Sequence, residues 1–153
     1  MQGHNYGEMD SVYQPQAPMF NMPVMYNQSL NAGTPLPKFI KPYPSKRPIE
    51  DLEYLHKKGA LSIPSEPLRS ELVKAHFDFV HPYMPLLDKR AFLKAISDPE
   101  GLHGTVGLLL FQAVMFAGSA FVDLETLKKA GFVSRRAARR FFFTKSRVCL
   151  PHS

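Results

Sequence analysis

The chain of 153 residues contains a single cysteine, Cys149. One cysteine excludes a disulfide framework, a four-cysteine zinc site and an iron–sulfur cluster built by this chain alone. The first residues lack a positively charged region followed by a continuous apolar run, so we predict no secretory signal. The composition, with 44% apolar and 21% charged residues, is that of one modest folded domain.

Acidic residues are absent from the C-terminal stretch. Residues 126–153 carry eight Lys or Arg and no acid, whereas residues 1–125 carry 11 basic and 13 acidic residues. The net charge of +6 therefore arises at the C-terminal end. A basic stretch of this kind suits an acidic partner, a nucleic acid or a targeting receptor, and it is equally consistent with one solvated helix face.

Basic residues are absent from residues 1–37, which are rich in Asn, Gln, Pro and Met. The prolines interrupt helices and strands, and no apolar periodicity is present between them. We predict that residues 1–47 form a disordered tail that ends in a basic, proline-rich linker over 38–47. The Tyr, Phe and Met side chains of the tail could contact a co-regulator, although a passive tail is the simpler interpretation.

From Pro48 onward the sequence has the pattern of helices. No alternation of apolar and polar residues and no Asn-Gly or Asp-Gly turn indicates a strand. We therefore predict an all-α domain over 48–148, with Asp88, Asp123 and Ser134 as helix N-caps and with residues 149–153 out of pattern. The predicted helices span 49–58, 66–80, 89–96, 104–122, 124–130 and 135–148.

Residues 104–122 form a run of 19 residues without a charge. This length is at the lower limit for a transmembrane helix, and the basic residues after it match a cytoplasmic C-terminus. Gln112, Ser119 and several small residues weaken that interpretation, and a helix that is apolar on every side is also typical of the centre of a helical domain. The alternative function is therefore a single-span membrane protein that uses residues 104–122.

Catalytic and metal-binding motifs are not found in the sequence. The run Gly118-Ser119-Ala120 lacks the GxSxG pattern, and no His-Glu-x-x-His pair is present. His76 and His81 are five residues apart, so they do not share one face of a helix. We predict that the chain is not an enzyme and that it contains no catalytic, cofactor-binding or metal-binding residue.

The helix that follows Ser134 is the most distinctive surface feature. At about 100° per residue, one side of this helix carries Arg135, Arg136, Arg139, Arg140 and Arg147. The opposite side carries Ala137, Ala138, Phe141 and Val148, with Phe142 at the margin. We expect the apolar face to pack on the core and the arginines to remain in solvent. The arginines could contact phosphates without reading sequence, or a nuclear import receptor, and a solvated helix face is the simpler alternative.

Three segments of the helical region resemble one family of regulators. They are residues 51–69 (DLEYLHKKGALSIPSEPLR), 80–88 (VHPYMPLLD) and 109–123 (LLFQAVMFAGSAFVD). Together they resemble the fungal-specific transcription factors with a zinc binuclear cluster, in the branch of the cutinase transcription factors and acetamidase regulators. The resemblance extends over about residues 50–147.

The resemblance implies a nuclear regulator of metabolic genes that RNA polymerase II transcribes. It implies a helical regulatory domain whose partners are co-regulators or the transcription machinery and a small-molecule inducer, with no membrane partner. Such proteins bind DNA through a six-cysteine, two-zinc module, and this chain has only one cysteine. We therefore expect no zinc ligand here, DNA binding only through a module absent from this chain, and a partial chain, since the family's domain continues beyond this length.

Overall fold

The computed structural model describes residues 36–42 and 49–150, without the side chains of Ile49 and Leu52. Residues 1–35 of the predicted tail, residues 43–47 of the predicted linker and residues 151–153 lie outside the described residues. The described part is helical and contains no strand, which confirms the predicted all-α class.

All six predicted helices are present; those over 89–96 and 135–148 have the predicted ends, and the other four are shorter or shifted. A π-helical turn over His76–Val80 continues the second of them. In chain order, the α-helices are α1 (Ile49–Lys57), α2 (Leu68–Ala75), α3 (Lys89–Ile96), α4 (Leu108–Gly118), α5 (Leu124–Lys129) and α6 (Arg135–Val148).

All three predicted N-cap residues occupy the N-cap positions of their helices, and two of them form a capping hydrogen bond through the side chain. Asp88 Oδ1 accepts a hydrogen bond from the backbone N–H of Ala91 at 3.0 Å. Ser134 Oγ accepts one from Ala137 N–H at 3.1 Å. These bonds satisfy backbone donors that have no partner within the helix. Asp123 also occupies the N-cap position of α5, but its exposed side chain makes no capping hydrogen bond.

Helix α4 lies at the centre of the fold, where it packs against α2, the π-helical turn and α6. Phe111, Gln112 and Met115 are fully buried along it. Helices α4 and α2 approach closely at Gly118, because a Cβ there would lie 2.1 Å from the carbonyl oxygen of Leu72. Only glycine allows the two backbones to approach this far.

The predicted helix over 104–122 is shorter at both ends. Gly104 has a φ of +118°, which is outside the helical region, and Val106 pairs with Ile40 in an isolated parallel bridge. The helix ends at Gly118. None of the helices in the described residues has both the length and the apolar character needed to cross a membrane.

Residues 36–42 pack against the helical domain. Phe39 and Ile40 are only 2% and 4% exposed. Val106 N–H donates to the carbonyl oxygen of Phe39 at 2.7 Å, and Lys41 N–H donates to that of Val106 at 2.8 Å. The interpretation of residues from 38 onward as a linker outside the fold is therefore wrong for Phe39 and Ile40. Their burial depends on contacts with residues that are distant along the chain, such as Val106, and the local sequence pattern does not predict such contacts.

The π-helical turn changes which side chains face the core. His81 N–H donates to the carbonyl oxygen of His76 at 3.0 Å, five residues back. This wider turn shifts the phase of the side chains that follow. Phe79, which the α-helical pattern places on the apolar face, is consequently 51% exposed and stacks on Phe121, with ring centroids 5.4 Å apart.

Candidate functional site

Helix α6 carries the four predicted site residues and is held to the core by its opposite face. Ala138 and Phe142 are fully buried, and Lys145 and Cys149 are nearly so. These four residues follow a spacing of four, three and four, which is one continuous stripe of an α-helix. The sequence prediction placed Ala138 correctly, but it put Phe142 at the margin and did not identify Lys145 as buried.

Arg135 is a structural residue at the junction of α4 and α6. Its Nη1 donates to the carbonyl oxygens of Ser119, at 3.0 Å, and Val122, at 2.7 Å. Both carbonyls lie just beyond the end of α4, where a helix leaves acceptors without partners. The expectation that the arginines remain in solvent is therefore wrong for Arg135, which is partly buried and joins two helices.

Arg139 is also drawn onto the protein surface. Its guanidinium carbon lies 4.6 Å from the centroid of the Phe116 ring, which is a cation–π contact between α6 and α4. Its Nη1 atom is buried and has no hydrogen-bond partner among the described residues. Here too the expectation of a solvated side chain is wrong, because an aromatic ring of α4 lies within reach.

Arg136 and Arg140 differ from the other two arginines. Both are exposed, and neither side chain makes an ion pair or hydrogen bond within the part of the chain that the structure describes. Of the four predicted site residues, they are the two whose charge remains available to a partner. The prediction of phosphate or import-receptor contacts for Arg135, Arg136, Arg139 and Arg140 stays a prediction.

The four arginines line one side of a shallow groove of about 490 Å³ between α4 and α6. Phe116 and Phe143 complete the lining, with ring centroids 5.5 Å apart, and Phe143 is 48% exposed. No acidic residue lines the groove. We call this surface the arginine–phenylalanine groove; its residues are Phe116, Arg135, Arg136, Arg139, Arg140 and Phe143.

A buried polar network lies on the other side of α6. Lys145 Nζ donates to the carbonyl oxygen of Ser62 at 2.9 Å and also contacts Ser62 Oγ. Gln112 Nε2 donates to the carbonyl oxygens of Ala60, at 2.9 Å, and Ser62, at 3.1 Å. Burial lowers the pKa of Lys145 well below its ordinary value, and the smaller influence of Cys149 opposes this. The network joins α4 and α6 to the turn after α1, which is a structural role.

His76 is the buried histidine of the π-helical turn. Neither of its ring nitrogens has a hydrogen-bond partner among the described residues. Burial, and secondarily the proximity of His81, lowers the pKa of His76. The ring packs edge-on against Phe77, with centroids 4.9 Å apart. These contacts are those of a neutral core histidine.

The zinc module that the resemblance implies does not fit this chain. In residues 36–42 and 49–150, no group of three or more His, Cys, Asp or Glu side chains is placed to hold a metal ion. Cys149 is buried behind the end of α6. No function of this chain is therefore assigned to a zinc ion.

A second concave surface lies between α2 and α3 and encloses about 460 Å³. Its apolar lining consists of Val73, Phe77, Leu93 and Ile96. Two ion pairs lie on its rim, Arg69–Glu66 at 3.0 Å and Lys74–Asp78 at 2.7 Å. Lys89 Nζ lies 5.6 Å from the Phe77 ring centroid and forms no ion pair with a described residue. The cavity therefore combines an apolar floor with one uncompensated positive charge.

Comparison with known proteins shows similarity to fungal transcription factors. The chain is 50% identical over 113 residues to cutinase transcription factor 1 beta of Fusarium vanettenii, covering 74% of this chain and 13% of that protein. It is 36% identical over 113 residues to the transcription factor cpaR of Aspergillus oryzae, covering 74% and 19%. It is 35% identical over 98 residues to the fusaric acid cluster transcription factor FUB12 of Fusarium oxysporum, covering 64% and 14%.

These similarities confirm the resemblance seen in the sequence: the chain is related to the fungal transcription factors. More narrowly, it is a relative of the cutinase transcription factors, since the 1 alpha factor of Fusarium vanettenii also matches it, with 32% identity over 92 residues. The chain spans less than a fifth of the length of these relatives. No family model and no solved structure matches it.

Proposed function

We propose that this chain is a segment of the regulatory domain of a fungal transcription regulator. In this role it contacts other proteins, carries out no catalysis and reads no DNA sequence. The observation that carries the proposal is the 50% identity to cutinase transcription factor 1 beta over 113 residues, 74% of this chain. The open arginine–phenylalanine groove supports contacts with a protein.

The direct test is a chimera in which the matched segment of cutinase transcription factor 1 beta is replaced by this chain. We expect the chimera to retain control of the genes that the intact factor controls, as measured by RNA sequencing in a strain that lacks the factor. A factor from which the same segment is deleted serves as the comparison, and it should no longer regulate those genes. A chimera that behaves like the deletion would contradict the proposal.

Nuclear action is part of the same proposal. Arg136 and Arg140 provide exposed basic charge on α6, and a cluster of this kind is a weak import signal. A fluorescent fusion of the chain should accumulate in the nucleus of a fungal cell. Exclusion of the fusion from the nucleus, or its recovery with membranes after carbonate extraction, would count against nuclear action.

The cavity between α2 and α3 favours a second role, the recognition of a small regulatory molecule. Its apolar floor and the single unpaired charge of Lys89 suit a molecule with an apolar body and one negative group. Calorimetric titration with apolar monocarboxylates and with their uncharged amides tests this role. We expect the acids alone to bind and the variant Lys89→Gln to bind them weakly, whereas equal binding of acids and amides would argue against it.

A further inference from the structure

Contacts within the fold hold part of the arginine–phenylalanine groove in place. Arg135 is anchored by two backbone carbonyls, and Arg139 lies against the ring of Phe116. These two contacts fix part of the cationic wall before any partner arrives. The exposed Arg136 and Arg140 supply two further charges that have no acidic partner among the described residues. An occupant of the groove therefore meets cations whose positions are partly set in advance.

The floor of the groove is aromatic. Phe143 is 48% exposed and contacts Phe116 at a centroid distance of 5.5 Å. Contact between an exposed aromatic surface and water is unfavourable, and the apolar side chains of a partner can cover this surface. Carboxylates are the groups that pair with guanidinium through parallel hydrogen bonds. A ligand that is both apolar and acidic would therefore be complementary to the groove.

A nucleic acid fits this surface less well. Binding to phosphates requires freely accessible cations along a path, and two of the four arginines are committed to contacts within the fold. Stacking of bases requires open aromatic faces, and the guanidinium of Arg139 already lies over Phe116. One partly open ring and the two exposed arginines offer fewer contacts than the grooves that bind single strands of about 4–16 nucleotides.

The geometry points to the arginine–phenylalanine groove as a docking site for an acidic segment of a partner protein, in which Asp or Glu residues flank Leu or Phe side chains. The apolar side chains pack on Phe116 and Phe143, and the carboxylates pair with Arg136 and Arg140. The inference rests on the proposed function, since it names the kind of protein that the regulatory segment contacts. The inference is compatible with ligand binding in the cavity between α2 and α3 and with DNA binding by a separate module.

The test is a binding measurement on the full chain with a labelled 15-residue peptide in which Asp and Glu alternate with Leu and Phe. Fluorescence anisotropy at physiological salt should show saturable binding. A peptide with Lys in place of the acids and a peptide with Ser in place of Leu and Phe should not bind. A labelled single-stranded oligonucleotide is the competing ligand, and its preferred binding would overturn the inference.

The variant Arg136→Glu/Arg140→Glu reverses the two exposed charges without touching a contact of the fold. We expect it to weaken peptide binding by at least about tenfold, since opposite charges at close range become like charges. The control variant Lys57→Glu/Lys129→Glu makes the same charge change at exposed positions outside the groove. Its affinity should stay within about twofold of the original chain.

Equal weakening by both variants would show attraction by net charge alone and would overturn the inference. The chimera experiment separates this failure from that of the proposed function. A chimera that retains gene control while the peptide does not bind refutes the docking site only. Peptide binding in a chain whose chimera loses gene control refutes the proposed function and leaves the groove as a binding surface.

Discussion

At the scale of single residues, the arginines of α6 divide by what lies near each of them. Arg135 meets the carbonyls of Ser119 and Val122, and Arg139 meets the ring of Phe116. A guanidinium group suits both settings because it offers several donors in one plane and a flat face that stacks on aromatic rings. The same residue type on one helix face therefore serves both to join helices and to present charge.

Lys145 shows how a charged residue can be part of a core. Its ammonium group reaches the carbonyl oxygen of Ser62 at 2.9 Å, and its side chain is 2% exposed. Burial disfavours the protonated form, and this lowers its pKa. The residue links α6 to the turn after α1, at the cost of a pH-dependent stability.

We predict that the variant Lys145→Met removes part of this pH dependence. The folded chain binds this proton less readily than the unfolded chain, whose lysine titrates near its ordinary value of 10.5. Between the lowered pKa and that value the unfolded state binds more protons. The free energy of unfolding therefore rises with pH in this window and falls as pH decreases.

Urea unfolding at several values between pH 7 and pH 10 measures the effect. The original chain should become more stable toward pH 10 by an amount that Lys145→Met does not show. The exposed Lys94 provides the control, and Lys94→Met should keep the original slope. Parallel profiles for the original chain and Lys145→Met would contradict the prediction.

At the scale of elements, the N-termini of α5 and α6 show that the local sequence does not by itself decide whether a capping hydrogen bond forms. Ser134 caps α6 through Ala137 N–H, whereas Asp123 makes no such bond before α5. Both residue types are common N-caps, and both stand at the correct place in the sequence. The geometry at each helix end decides whether the side chain forms the capping hydrogen bond, and the residue type alone does not predict that geometry.

We predict that Ser134→Ala lowers the free energy of unfolding by about 1 kcal/mol, because a backbone donor of α6 loses its partner. Asp123→Ala is the matched control at a position without a capping bond, and it should cost less than half as much. Chemical unfolding followed by circular dichroism measures both variants. Equal losses would show that the bond of Ser134 carries no special weight.

The approach of α4 to α2 is a second property of elements. It depends on Gly118, since a Cβ at that position would lie 2.1 Å from a backbone oxygen of Leu72. Backbone atoms in two packed helices have little freedom to move aside. A single methyl group must therefore push the helices apart.

We predict that Gly118→Ala destabilises the fold by about 3 kcal/mol, the upper part of the range for overpacking. Gly107→Ala serves as the control, because nothing lies within 4 Å of a Cβ placed there. The control should change stability by no more than about 0.5 kcal/mol. Thermal unfolding of both variants tests the pair, and a Gly118→Ala protein as stable as the control would refute the close approach.

At the scale of the whole molecule, the helical domain includes residues that precede it in the chain. Phe39 and Ile40 bury themselves beside Val106, and Phe39 lies 5.7 Å from the ring of Phe111 in α4. Lys38 forms an exposed ion pair with Glu100 at 2.6 Å. An exposed pair of this kind adds little stability, so the apolar contacts hold the segment in place.

We predict that Phe39→Ala lowers the free energy of unfolding by about 3 kcal/mol, as expected when a buried aromatic side chain is removed. Tyr83→Ala removes an aromatic side chain that is 86% exposed, and it should change stability by less than about 0.5 kcal/mol. Denaturant titration of the full chain compares the two. A Phe39→Ala protein of unchanged stability would show that residues 36–42 do not belong to the folded unit.

Much of the fold was predictable from the sequence because helix formation is recorded locally. Apolar spacing and the caps at Asp88 and Ser134 depend on neighbours within a few residues, and the all-α class follows from them. The stripe from Ala138 to Cys149 also contained the signal for the burial of Lys145. Since lysine is seldom buried, the stripe alone does not predict that Lys145 belongs to the core.

The sequence by itself determined the helical class, the basic character of α6 and the kinship with fungal transcription factors. Only the tertiary structure decided that Arg135 and Arg139 contact the fold while Arg136 and Arg140 remain exposed, and that Phe39 enters the core. The physical reason is range. Periodicity and capping act over one or two helical turns, whereas these contacts join residues distant along the chain, whose proximity exists only once the helices have packed.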